Sequence, residues 1–292
     1  MSWRFWKRRR ATSLTEEQRA ALKSLVADAR YELIPLKSAL EHAAALPPGS
    51  QVTVTASPSH GIEATFDLAE AVAALGHDVT PHVSAHMLRD RAHLAQLLER
   101  ARVNGLRKVF VVGGDTRDRG ELHDGLMLLR AMDELGHPFE EVGVPCYPEG
   151  HPDIADERLL EVLREKQRYA NAMTSQMSFN PAAVTQWVGE VRDAGIALPM
   201  HLGVPGVADL PKLMKVAARI GVSDSARYLM KNKRLIGHLV RGGSFGPDAF
   251  LEQLAPMLAD PVADVRVLHV FTFNQVEQTA AWQRRMLEEL GG

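Results

Sequence analysis

Tyr31-Glu32-Leu33-Ile34-Pro35 reads as a short apolar strand with one carboxylate set inside it. Burial disfavours an ionised carboxylate and raises its pKa, which suits Glu32 to general-acid work near neutrality. A Glu32 that pointed out of the sheet, or paired with Lys37 or an arginine, would have no such role. A second candidate is the loop Tyr147-Pro148-Glu149-Gly150-His151-Pro152, which follows an apolar run ending at Cys146. It gathers an aromatic, a carboxylate and an imidazole, and its two prolines fix φ and restrict the residues before them. A proline turn with solvated polar groups is the plainer reading. Asp115 follows Gly113-Gly114, where backbone can approach a ligand closely, although a turn or cap aspartate looks the same. Thr55 and Gln176 are neutral hydrogen-bonding groups, able to orient an amide-like heterocycle but not to carry a reaction.

Weaker signals surround these. His82 and His86 stand four apart, but His82 belongs to a strand, so the spacing lacks the helical meaning it has in metal sites. His60, His77, His123, His137 and His238 read as loop or surface residues. Gly242-Gly243-Ser244 could cradle a phosphate, yet no strand precedes it as a dinucleotide fingerprint requires. There is no Walker motif, no Ser/His/Asp pattern and no metal-ligand cluster. The pocket chemistry is therefore acid/base and hydrogen bonding, with the reactive electrons supplied by another molecule.

The elements that must position these groups alternate. β-rich segments at Tyr31–Ile34, Val52–Ala56, Val79–Ser84, Lys108–Val112, Glu141–Cys146, Ala172–Gln176, Leu198–Leu202 and Val265–Phe273 give eight candidate strands. Helical periodicity falls between them at Thr65–Leu75, Leu88–Val103, Leu122–Leu135, Asp156–Tyr169, Pro181–Ala194 and Ala208–Ile220. An amphipathic helix over Ser13–Ala29, capped by Ser13 or Thr15, precedes the first strand. The long interval from Gly203 to Asp264 has room for further helices at Ser225–Val240 and Pro247–Leu258. This rhythm predicts an α/β fold: a (β/α)8 TIM barrel with an extra N-terminal helix and a long helical insertion before the last strand. A doubly wound open sheet is the alternative. In a barrel every strand runs the same way, so Glu32, Thr55, His82, Asp115, Tyr147, His151, Gln176, His201 and Asn274 converge on one C-terminal mouth.

Composition sets the class. The chain has 292 residues, 46% hydrophobic and 24% charged, enough apolar material for one large core. A net charge of −2 gives no global case for nucleic acid. The single Cys146 excludes an internal disulfide and fits a reducing, cytoplasmic setting. No apolar run approaches the roughly 20 residues that span a bilayer. Residues 1–12 carry five basic residues and three aromatics without the apolar stretch of a secretory signal. They read as a tail packing on the domain or as an interaction arm, and residues 13–292 as a single barrel domain, with room for a homo-oligomer.

At these residues the sequence resembles the methylenetetrahydrofolate reductase family, barrel enzymes that move a hydride from a reduced nicotinamide to a folate-bound methylene group. The likeness runs from about Arg30 to Leu287 and is carried by ordered matches at strand ends. Tyr31–Pro35 stands where the family has aromatic–Glu–aromatic–aromatic–Pro. Val52-Thr53-Val54-Thr55, Pro81-His82-Val83-Ser84 and Gly114-Asp115 match the next three strands. Tyr147–Pro152 matches the fifth-strand loop closely, Ser175-Gln176-Met177-Ser178-Phe179 the sixth, and His269-Val270-Phe271-Thr272-Phe273-Asn274 the last. The resemblance implies that Glu32 is the general acid that helps open the five-membered ring of the methylene-folate. It implies that Asp115 and Gln176 hold the pterin, with Phe179 and Asn274 beside the substrate. Thr55, His82, Gly114, Tyr147 and His151 match positions that contact FAD in the family.

The departures cluster on that flavin. Gly113 replaces the arginine usual before Gly-Asp, the loop after Asp115 is short, and Leu122-His123-Asp124-Gly125 replaces a Tyr-Ala element. Ile154 replaces a small residue, and Arg158, Glu161 and Glu165 stand where Asp, Asn and Lys usually grip the dinucleotide. A shift in alignment would restore Lys166. On the folate side Gln275 replaces an arginine. Each lost charge-assisted hydrogen bond forfeits roughly 1.5–3 kcal/mol, so three together weaken flavin binding by orders of magnitude. The resemblance and these departures together imply a folate reductase that takes hydride directly from NADH or NADPH, with FAD weakly bound or absent. A flavin-dependent ping-pong enzyme, a deazaflavin-dependent one and a non-catalytic folate-binding protein are the alternatives.

Overall fold

The structure is a computed structural model that describes residues 14–114, 120–209, 211, 213, 215 and 244–291. Eight parallel strands close into a barrel: β1 (Arg30–Leu33), β2 (Gln51–Val54), β3 (Asp78–Ser84), β4 (Lys108–Val112), β5 (Glu141–Cys146), β6 (Ala172–Ser175), β7 (Met200–Pro205) and β10 (Val265–Phe271). β1 pairs with both β2 and β10, and that closure rules out the open sheet. A separate two-stranded ribbon pairs β8 (Ala208–Asp209) antiparallel with β9 (Ser244–Phe245).

Helices start where the sequence can satisfy their first amide groups. Thr15 caps α1 (Glu16–Ala27) in a reciprocal box with Gln18, the two bonds measuring 3.2 and 3.1 Å. α2 (Ala39–Ala44) is a short element that the sequence pattern did not announce. α3 (Gly61–Ala74) begins four residues earlier than its periodicity implies. Asp90 caps α4 (Arg91–Val103) and Asp124 caps α5 (Gly125–Leu135), so both begin about three residues later than expected. α6 (Asp156–Lys166) follows the β5 loop, and Asn180 caps α7 (Pro181–Asp193) with proline in its first turn. α8 (Asp248–Leu258) and α9 (Val276–Glu289) follow, and no described helix is long and apolar enough to cross a membrane.

Two strand boundaries shift for physical reasons. β7 starts at Met200 rather than Leu198, immediately after Pro199, which has no N–H to donate. β10 stops at Phe271 rather than Phe273 because Phe273 and Asn274 both take left-handed φ, 52° and 58°. Within the helix expected over Ala208–Ile220, Ala208–Asp209 form β8 and residues 211, 213 and 215 are helical; the rest of that span, and Ser225–Val240, lie outside the described residues.

Strand alternation sorts the barrel into two cores. Tyr31, Leu33, Val52, Val54, Val79, Val83, Val109, Val111, Leu202, Val204, Leu268 and Val270 are buried in one apolar shell between sheet and helices. Their neighbours at the opposite parity face the barrel axis, among them Arg30, Glu32, Thr53, Thr80, His82, Phe110, His201 and His269. At the N-terminal end of the axis Arg30 pairs with Glu141 at 2.7 Å and with Gln51 at 3.0 Å, and Lys108 pairs with Asp78 at 2.6 Å. Burial alone would raise the Glu141 carboxyl, but the Arg30 hydrogen bond and charge hold it below its usual value.

Candidate active site

Parity turns Glu32 inward, and the parallel register of β1 and β10 sets its neighbour: Arg30 lies opposite His269 and Glu32 opposite Phe271. The His269 Nε2 atom comes within 3.0 Å of Glu32 Oε2. The histidine is 3% exposed and the carboxylate 12%, so the pair sits at the floor of the mouth, reachable from above. His82, on β3, joins them: one ligand atom from each of Glu32, His82 and His269 lies within 4.8 Å of the others. A divalent ion could use such a set, although two of its members are already hydrogen-bonded to each other.

Burial first, then the nearby His269 and Arg30, hold His82 well below its usual pKa, so it is neutral. Its Nε2 is buried without a hydrogen-bond partner. Phe110 stacks obliquely at 4.7 Å from the His82 ring, and Phe271 meets the His269 ring edge-on at 4.9 Å. These aromatic walls fix both imidazoles.

The chain after β10 locks Glu32 in place. Thr272 Oγ1 donates to the Glu32 carbonyl in a short hydrogen bond. Asn274 Oδ1 accepts from Ile34 N at 2.8 Å while its Nδ2 donates to Ile34 O at 3.0 Å. Both ends of the Asn274 amide therefore hold the residue two beyond Glu32.

The other expected residues ring the mouth. Thr55 follows β2 half-buried, with its N–H on Leu33 O and its carbonyl accepting from Thr65. Gly114 takes φ +107°, and a Cβ there would lie 2.2 Å from Ser84 Oγ, so only glycine fits. Asp115 lies outside the described residues. Tyr147 and His151 meet edge to face at 5.0 Å. Gln176 is half-buried, and its Oε1 accepts from Met177 N. Phe179 is buried and donates its N–H to Glu149 Oε1 at 2.7 Å, where Asn180 N also donates at 2.9 Å. Glu149 is thus a staple between the β5 and β6 loops.

The region where a flavin diphosphate is usually held has a different character. Arg158 and Glu161 pair with each other at 2.5 Å on the exposed face of α6, and Glu165 meets Arg130 at 3.4 Å. Lys166 lines a crevice with Tyr147, Leu163 and Trp187 beneath the β5 loop. Desolvation lowers its pKa against the opposing pull of Asp124. Among the described residues there, Arg158 and Glu161 neutralise each other, Glu165 and Arg130 do the same, and Lys166 faces the crevice.

His269 is the functional residue that sequence reasoning passed over. Its signal was available: Val267, His269 and Phe271 share one parity, and a last strand beside the first places that parity against Glu32.

Fold and site together define a parallel barrel with an acid/base pocket at its C-terminal mouth. The sequence profile of the family described as methylenetetrahydrofolate reductase matches residues 35–286, and the chain belongs to that family. A relative from Caenorhabditis elegans named "Probable methylenetetrahydrofolate reductase (NADPH)" is 22% identical over 212 residues. That match takes in 69% of this chain and only 31% of the relative. Two solved structures from Burkholderia cenocepacia J2315 align over most of the chain. One, assigned provisionally as a lyase/mutase, has 13% identity and a TM-score of 0.47, covering 94% of this chain and 86% of its own. The other, assigned provisionally as a phosphonomutase, has 11% identity and a TM-score of 0.49, covering 95% and 100%.

Proposed function

We propose that this chain reduces 5,10-methylenetetrahydrofolate to 5-methyltetrahydrofolate, taking hydride from NADH or NADPH without a flavin intermediary. The observation that carries the chemistry is Glu32 at the floor of the mouth, 3.0 Å from His269 and open to a ligand above. Glu32 gives its proton to the folate nitrogen that leaves the methylene carbon, which opens the ring to an electrophilic iminium. Hydride then adds to that carbon, and one proton is consumed per turnover. Gln176 and Asp115 hold the pterin, Gln176 through the amide nitrogen left over from its bond to Met177. Thr55, His82, Gly114, Tyr147 and His151 line the space that a flavin fills in the family, and here they receive the nicotinamide donor. Phe179 and Asn274 shape the folate side through the loops they anchor.

The flavin-free reading is supported by the Arg158–Glu161 pair, which spends on itself the charge a diphosphate would need. Direct transfer requires donor and acceptor to be bound together at about 3–3.5 Å. The test is an absorbance spectrum of the purified full chain, followed by NADH and NADPH oxidation with methylene-folate. A colourless protein with intersecting initial-rate lines is expected. Stoichiometric flavin absorbance or parallel lines would overturn direct transfer, and no turnover with folate still bound would favour a binding protein.

A further inference from the structure

The barrel axis around and below Glu32 is polar, where barrel interiors are usually packed with branched aliphatic side chains. Register sets Glu32 beside Thr53 and Thr53 beside Thr80 across β1, β2 and β3. His82 lies two residues above Thr80, and His201 faces in from β7. Gly143 and Gly203 stand at inward parity and add no side-chain bulk.

Five buried polar atoms facing the axis have no hydrogen-bond partner: Arg30 Nε, Thr53 Oγ1, Thr80 Oγ1, His82 Nε2 and His201 Nδ1. Leaving each unsatisfied would cost about 1–3 kcal/mol, and so many in one barrel is the usual signature of bound water. The separation of up to 4.8 Å within the Glu32, His82 and His269 group suits one bridging water, since two ordinary hydrogen bonds span about that distance. Burial first, then Arg30, pushes the His201 pKa down to about 3, so both inner imidazoles are neutral and can accept as well as donate. Below them the Arg30, Glu141, Lys108 and Asp78 layer reaches solvent, with the Asp78 side chain 43% exposed.

We propose that a file of bound waters on Thr53, Thr80, His82 and His201 fills the barrel axis, and that Glu32 regains its proton along it from the N-terminal face. The proton step rests on the reductase reading above. In a direct-transfer complex both substrates cover the C-terminal mouth, and a route from the N-terminal face recharges the acid without waiting for them to leave. After Glu32 yields its proton to the folate nitrogen, a water in the file gives it a proton. That water is made good by the next, and the last takes a proton from solvent. His269 is bonded to Oε2 of Glu32, so the proton exchange falls to Oε1. His82, His201, Thr53 and Thr80 are positioning residues.

The test is the double variant Thr53→Val/Thr80→Val in the full chain. Valine keeps the shape and suits a strand, and it removes the two hydroxyls. The expected result is kcat lowered about tenfold or more, both KM values within about twofold of the parent, and a larger solvent isotope effect. A folded double variant with parental kcat and isotope effect overturns the proton route. A crystal structure of the parent supplies the second readout, independent of activity. Ordered water on Thr53 Oγ1, Thr80 Oγ1 and His82 Nε2 is expected. A dry axis, or a metal ion held by Glu32, His82 and His269, overturns the proposal. A parent chain that fails to reduce methylene-folate while its axis holds this water sinks the reductase reading and the proton route, and leaves the water file standing.

Discussion

On the proposed function Glu32 is the acid at the floor of the mouth, and Asn274 holds the backbone that presents it. Glu32→Gln keeps shape and a hydrogen bond to His269 but removes the transferable proton. Folate reduction is expected to fall by about 10²–10⁴-fold, with NADH binding retained in a fluorescence titration. Survival of activity would remove Glu32 from its role. Asn274 bonds both backbone groups of Ile34 from a φ of 58°, a conformation asparagine tolerates better than alanine. Asn274→Ala loses the bonds and adds backbone strain, so a urea melt should register about 1–3 kcal/mol of lost stability. Asn274→Gly loses the bonds without the strain and should lose less. Equal losses would mean that φ plays no part.

Loops held to loops shape the rim. Glu149 receives two backbone N–H groups from the β6 loop, and Gln176 N donates to Cys146 O beside them. The β5 and β6 loops therefore move as one wall, bearing Tyr147 and His151 on one side and Gln176 on the other. Glu149→Ala cuts that tie without touching Glu32. The expected result is a folate KM raised severalfold with kcat changed less, because ground-state placement suffers before proton transfer does. A kcat loss at constant KM in steady-state kinetics would instead make Glu149 part of the chemistry.

Across the whole barrel, buried groups make stability depend on acid. His201 is held down to about 3 and His82 well below its ordinary 6.5, chiefly by burial, with Arg30 and His269 adding repulsion. Unfolded, both bind protons near 6.5, so below that pH the unfolded chain takes up more protons than the folded one. Stability is full above about 6.5 and falls as pH drops toward 3, by about 1.4 kcal/mol per pH unit for each group. Glu141 acts in the same direction lower down. Its folded pKa lies below 4.5, so its contribution is present above that value and is lost as pH falls through the folded one. Urea unfolding from pH 7.5 to 4 should show this decline. In His201→Asn the slope between 6.5 and 4 should be shallower by one group's share, and an unchanged slope would acquit His201.

Much of this protein was already legible in local chemistry. Strand and helix periods are set by which residues can be buried, and Thr15, Asp90, Asp124 and Asn180 are capping types that mark helix starts. The candidate acid and most of the rim residues could be read from their places at strand ends. Side-chain identity alone did not tell which groups would meet. His269 is 237 positions from Glu32, and only closure of β10 against β1 makes them neighbours. Only the fold shows that Asn274 and Glu149 bond to distant backbone. The sequence by itself determined the barrel and the place of Glu32 within its first strand, because burial and capping are local preferences. Tertiary structure decided the acid's partner, the braces around it and the polar axis beneath it, because those depend on register and closure.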